Sequence, residues 1–177
     1  MRFHVRSLVP TMLCLALASG VSAGQTPTTA PAPCTAAEHR QFDFWIGEWA
    51  VTTPDGKPAG RNRITAILNG CVLLEEWMGA GGSAGKSFNL FDARQERWQQ
   101  TWVDGRGGIL ELHGGLTEAG AMVLAGDAAA RPGVPPVRNR ITWTPRSATE
   151  VRQLWETSSD GGATWTTVFD GAYRKVQ

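Results

Sequence analysis

Beyond Gly47 the chain is a succession of short runs in which apolar and polar residues alternate, each closed by turn-forming residues. Alternation with a period of two marks strands whose two faces meet different surroundings. The pattern predicts strands near 47–53, 60–69, 71–78, 84–92, 97–104, 108–114, 120–126, 137–144, 149–158 and 164–174. Pro54-Asp55-Gly56, the stretch Gly79 to Gly82, Asp104-Gly105 and Asp160-Gly161-Gly162 punctuate them as turns. No amphipathic helix separates the runs, which argues for a sandwich or a barrel. Short connections make sequential strands antiparallel neighbours. A meander of about ten strands without helical cover must protect its edges, and closure does so. The expected fold is therefore all-β, a single antiparallel meander barrel of about ten strands, with a two-sheet sandwich as the alternative. Ahead of the first strand, residues 36–47 predict one short helical turn from Ala36 to Trp45, with Phe42 and Trp45 on one side.

The same alternation sorts side chains into faces. Trp98, Gln100, Trp102 and Asp104 share one face, and Gln99, Thr101 and Val103 the other. Glu75 goes with Trp77, and Ser87 with Asn89 and Phe91. Val151, Gln153, Trp155 and Thr157 lie opposite Arg152, Leu154 and Glu156. Several faces thus mix large aromatics with amides, acids or hydroxyls, whereas a plain core is more uniformly aliphatic. Such faces suit either a cavity with a few polar groups among aromatic walls or an outer surface on which Trp covers the strands.

Composition adds a location. Arg2, His4 and Arg6 precede an apolar stretch from Leu8 to about Leu17, and Val21-Ser22-Ala23 follows. This order reads as a secretory signal peptide over residues 1–23, cleaved near Ala23. The apolar run is too short for a membrane span, and no later one is long enough, so no transmembrane segment is expected in the mature chain. Cys14 lies inside the run, without the approach sequence of a lipoprotein. Residues 24–35, rich in Thr, Pro and Ala, read as a flexible leader, and 36–177 as the barrel domain. The expected location is periplasmic or extracellular. Cleavage takes 17 basic residues to 15, against 16 acidic. A balance so near zero offers no electrostatic footprint for nucleic acid. Two cysteines remain, Cys34 and Cys71, and an even pair in an exported protein predicts a disulfide.

Motifs for chemistry are sparse. Ser158 to Trp165 fits the Asp-box pattern S-x-D-x-G-x-T-W of sialidases and related propellers. It occurs once, and its residues have the logic of a hairpin corner. Glu75 and Glu76 are adjacent and so face opposite ways on a strand, which rules them out as a glycosidase pair. Asp43, Glu48, Asp104 and Glu111 are the other carboxylates weighed. His39 and His113 stand apart, without HExxH or CxxC, so no metal site and no cofactor are expected. The glycine-rich stretch Gly79 to Gly85 lacks the Lys and helix of a phosphate loop and reads as a flexible hairpin loop at a barrel mouth.

Phe42-Asp43-Phe44-Trp45-Ile46-Gly47-Glu48-Trp49 resembles the opening motif of a widespread bacterial family of exported proteins of unknown function. The resemblance continues through Gly70-Cys71, Glu76-Trp77, Gly85-x-Ser87-x-Asn89, Trp98-x-Gln100-x-Trp102-x-Asp104, Arg152-Gln153, Ser158–Trp165 and Phe169-Asp170-Gly171-x-Tyr173. It implies a calycin-like barrel, similar to lipocalins, fatty-acid-binding proteins and nitrobindin-like proteins, and by analogy of fold a hydrophobic small-molecule ligand.

Three functions are open at this level. The first is a barrel binding a small, partly apolar molecule, with Trp77, Trp102 and Trp155 as walls and Ser87, Asn89, Gln100 and Gln153 orienting polar atoms beside Glu75. Arg152 takes that place if the opposite face points inward, and it favours an anion. The second is a hydrolase or isomerase using a cavity carboxylate such as Glu75 or Asp104. The third is a structural or partner-binding envelope protein with a filled barrel.

Overall fold

The computed structural model describes residues 33–128 and 136–176, and all statements below concern these. The predicted signal peptide and most of the leader lie outside them. Ten antiparallel strands follow one another: β1 Gly47–Thr52, β2 Pro58–Ile67, β3 Val72–Gly79, β4 Ala84–Asp92, β5 Arg97–Asp104, β6 Ile109–Leu116, β7 Met122–Asp127, β8 Arg138–Ser147, β9 Glu150–Ser158 and β10 Thr166–Lys175. Each pairs with the next, and β1 pairs with β10, which closes the barrel and leaves no free edge. The alternative of a two-sheet sandwich is thereby excluded.

Differences from the sequence expectation fall at turns. The strand expected over 60–69 stops at Ile67, because Leu68, Asn69 and Gly70 all take positive φ in a tight turn. Asn and Gly tolerate that region at little cost. The strand expected from 164 begins at Thr166, because the Asp-box closes on itself first. There Gly162 N–H donates to Ser158 Oγ (2.8 Å), Thr164 N–H to Asp160 Oδ1 (2.9 Å) and Trp165 Nε1 to the Gly162 carbonyl (3.0 Å). The box is a hairpin corner, with the Arg140 guanidinium 3.9 Å over the Trp165 ring. The loop after β3 is also tighter than a flexible flap: Gly79 N–H donates to Ser83 O at 2.7 Å and Ala80 N–H to Ala59 O at 2.8 Å.

One end of the barrel is filled. The predicted helical turn is two 3₁₀ turns, Ala37–Arg40 and Asp43–Trp45. They insert Phe42 and Trp45, both with 0% exposure. The two rings stack at 4.9 Å and meet Trp98 and Trp143 of β5 and β8 at 5.2–5.6 Å. Leu112, Met122 and Leu124 complete this core. The plug is tied down by Arg40, which donates to the Gly70 carbonyl, and by the disulfide Cys34–Cys71. The bridge agrees with the expected pairing and fastens the last residues of the predicted leader to the turn between β2 and β3. Among the described residues no helix is long and apolar enough to cross a membrane.

Candidate functional site

The other half of the barrel is hollow. An open cavity of about 440 Å³ enters from the end opposite the plug. Its polar floor is built from inward positions of adjacent strands. Glu75 on β3 lies opposite Ile64 of β2 and Ser87 of β4, with Asn62 two residues along β2. Asn62 Nδ2 donates to Glu75 Oε1 at 2.7 Å, and Ser87 Oγ donates to Oε2 at 2.6 Å. Ser87 in turn accepts from Asn89 Nδ2 at 2.8 Å, and Gln100 Nε2 donates to Asn89 Oδ1 at 2.8 Å. From β10 the Tyr173 hydroxyl donates to Gln153 Oε1 of β9, and it accepts a longer bond from Asn62 Nδ2 at 3.4 Å. Seven polar side chains from six strands thus form one connected network.

The walls above the floor are aromatic: Trp77, Trp102, Trp155 and Phe169, with Leu110 and Ile141 between them. Trp77 and Phe169 meet edge to face at 5.9 Å, and Trp155 Nε1 is anchored on Asn139 Oδ1 at 2.9 Å. Room for three of these rings comes from inward-facing glycines. A Cβ on Gly60 would lie 2.8 Å from the Trp77 ring and one on Gly171 2.6 Å from Phe169, while one on Gly85 would overlap the Trp102 ring. Each ring therefore fills space that any other residue would claim. At the rim, β10 carries a bulge between Thr167 and Phe169, and Val168 and Phe169 both reach the cavity lining. Bulges of this kind re-aim side chains at barrel rims.

The electrostatics single out Glu75. It is 4% exposed, and burial drives its carboxyl above the usual range against the opposing pull of the Ser87 and Asn62 hydrogen bonds. Tyr173 is pushed up as well, first by burial and then by the charge of Glu75. The only other acid lining the cavity among the described residues is Asp104 at the rim. Gly108 and Arg106 N–H groups donate to Asp104 Oδ1 at 2.8 Å, which holds its carboxyl below the ordinary value and commits it to the turn after β5.

Glu75, Trp77, Gln100, Trp102, Gln153 and Trp155 line the cavity, and Ser87 and Asn89 support them from the floor. Arg152 does not join them. It lies on the outer face, where Nε and Nη2 donate to the two oxygens of Asp170 at 2.9 and 2.7 Å. The reason is the pleat: Gln153 points inward, so its neighbour points out. Asn62, Phe169 and Tyr173 belong to the site and were not singled out for it in the sequence. The alternation Gly60-Asn62-Ile64 was the available signal for the first. Of the other carboxylates weighed, Asp43 is in the plug, and Glu48 and Glu111 are exposed. His39 packs on Phe91 at 5.4 Å and His113 sits opposite Gln99, so neither lines the cavity. Among the described residues no three His, Cys, Asp or Glu groups converge on a point that could hold a metal.

The buried carboxyl has a consequence for stability. Below the pKa of the unfolded chain both states hold the Glu75 proton and burial adds no penalty. As pH rises past that value the unfolded chain ionises freely, while the folded state must keep the proton or bury a charge, so stability falls until the folded pKa is passed. Glu75→Gln removes this term. Its stability relative to wild type should therefore rise between pH 4 and pH 8. Urea unfolding at the two pH values checks this. A difference independent of pH would contradict the assignment.

Comparison with protein-family models and with curated proteins returns no match to this chain.

Proposed function

We propose that this protein is an exported barrel that binds a small, partly apolar molecule in its lumen, in the periplasm or outside the cell. The observation that carries the reading is the cavity of about 440 Å³, apolar and aromatic on its walls and polar at its floor. Ligand sites of small molecules have this size and this distribution of polarity. A barrel serving only as an envelope scaffold has no need of a hollow half. The Cys34–Cys71 bridge supports an oxidising compartment. The signal-like N-terminus and the resemblance to an exported calycin-like family point the same way.

The test is native mass spectrometry of the protein purified without denaturation, followed by Trp fluorescence titration with a panel of apolar and aromatic small molecules. A retained mass, or a saturable change in emission, is expected. Leu110→Trp, which fills the lumen from β6, should weaken binding by at least about tenfold, or 1.4 kcal/mol. No retained mass and no binding from the panel would overturn the reading.

A second reading, a hydrolase or isomerase, rests on one observation: a buried carboxyl with raised affinity for its proton lies beside an open cavity. In that reading Glu75 transfers the proton. Turnover of an ester or enolisable ketone by wild type that disappears in Glu75→Gln would favour it over simple binding.

A further inference from the structure

Resting on the binding reading, we propose that the lumen selects an organic cation: a primary or secondary amine carried on an aromatic or compact apolar body, its ammonium directed at Glu75. Three observations lead there. First, the titratable groups lining the cavity among the described residues are Glu75, Asp104 and Tyr173, with no Lys, Arg or His among them. A lumen with two acids and no base offers no partner to the head group of a fatty acid, and Asp104, whose turn favours its ionised form, draws cations to the mouth. Secondly, Glu75 receives one hydrogen bond on each oxygen, from Asn62 and from Ser87, both neutral. A carboxylate has about four acceptor positions, so two remain for N–H donors, and no protein cation compensates its charge. An ammonium supplies both needs at once. Thirdly, Trp77, Trp102, Trp155 and Phe169 surround the approach to that carboxylate. Indole and phenyl faces attract cations, most strongly where water is excluded.

The neighbours of Glu75 sharpen the chemistry. Tyr173 from β10 and Asp104 from β5 are the titratable groups facing the same space, while β2 and β4 contribute only the uncharged Asn62 and Ser87.

The experiment uses one apolar body with three head groups: 2-(1-naphthyl)ethylamine, 2-(1-naphthyl)ethanol and 1-naphthylacetate, titrated calorimetrically into the purified protein at neutral pH. The amine should bind at least about tenfold more tightly than the alcohol, a margin of 1.4 kcal/mol, and the carboxylate should bind most weakly. Glu75→Gln should shrink the amine-to-alcohol ratio by at least about fivefold. The ranking of the three head groups on wild type is a readout that stands even if the variant does not fold. If the alcohol or the carboxylate binds as well as the amine, this inference falls and the cavity reading stands. If no member of the series binds, both fall.

Discussion

Trp45→Ala is expected to destabilise the barrel by about 3–5 kcal/mol, the range for truncating a large aromatic side chain in a core. Trp45 is fully buried and stacks on Phe42 at 4.9 Å with an interplanar angle of 14°, and it also meets Trp143 at 5.3 Å. Its removal leaves an indole-sized void at the plugged end, where three other rings are held by mutual contact and do not collapse inward without losing it. The backbone contribution survives, since Trp49 Nε1 donates to the Trp45 carbonyl at 2.9 Å rather than to its side chain. Trp45→Phe should cost far less. The indole Nε1 of Trp45 has no hydrogen-bond partner among the described residues, and Phe removes that buried donor along with some of the volume. Chemical unfolding followed by circular dichroism measures both. A loss under about 1 kcal/mol for Trp45→Ala would mean that the 3₁₀ segment frays independently of the strands.

Removing the disulfide should cost nearly as much by a different route. Cys34 and Cys71 are 37 residues apart, and closing a loop of that length restricts the unfolded chain by about 3–4 kcal/mol in the chain-entropy account. Because most of that stabilisation acts on the unfolded state, the double variant Cys34→Ser/Cys71→Ser should keep its folded cavity and its ligand affinity. Its melting temperature should drop by on the order of 10 °C. Thermal melts of the oxidised, reduced and double-variant proteins, alongside a binding titration, separate the two effects. Lost affinity at temperatures where the variant is folded would show instead that the bridge shapes the lumen through the β2–β3 turn.

The two routes differ in how legible they were. Period-two alternation and turn residues were enough to place ten strands in order, because both are local properties of the chain. Alternation also grouped Trp98-Gln100-Trp102 and Val151-Gln153-Trp155 correctly on single faces. It could not say which face looks inward. That depends on closure of the whole sheet, and only closure shows Gln153 in the lumen and Arg152 outside with Asp170. Nor could it foresee that Asn62 and Tyr173, separated by 111 residues, share one network with Glu75. That contact exists because the last strand pairs with the first. Asp104 illustrates the opposite error. On its strand it looked as available as Glu75, yet the tight turn after β5 consumes its carboxylate.

The calibre of the lumen is written in missing atoms. Gly60, Gly85 and Gly171 each leave a notch in the wall, and an aromatic ring is parked in each notch instead of lying across the channel. A methyl group at any of them would displace its ring, and at Gly60 or Gly85 it would also press on the backbone carbonyl of Met78 or Val103, whereas Glu75 lies at none of these contacts. In the proposed reading, the size of the guest and the charge it carries are thus set by separate residues. Either preference is free to drift through evolution, or to be retuned by design, without the other.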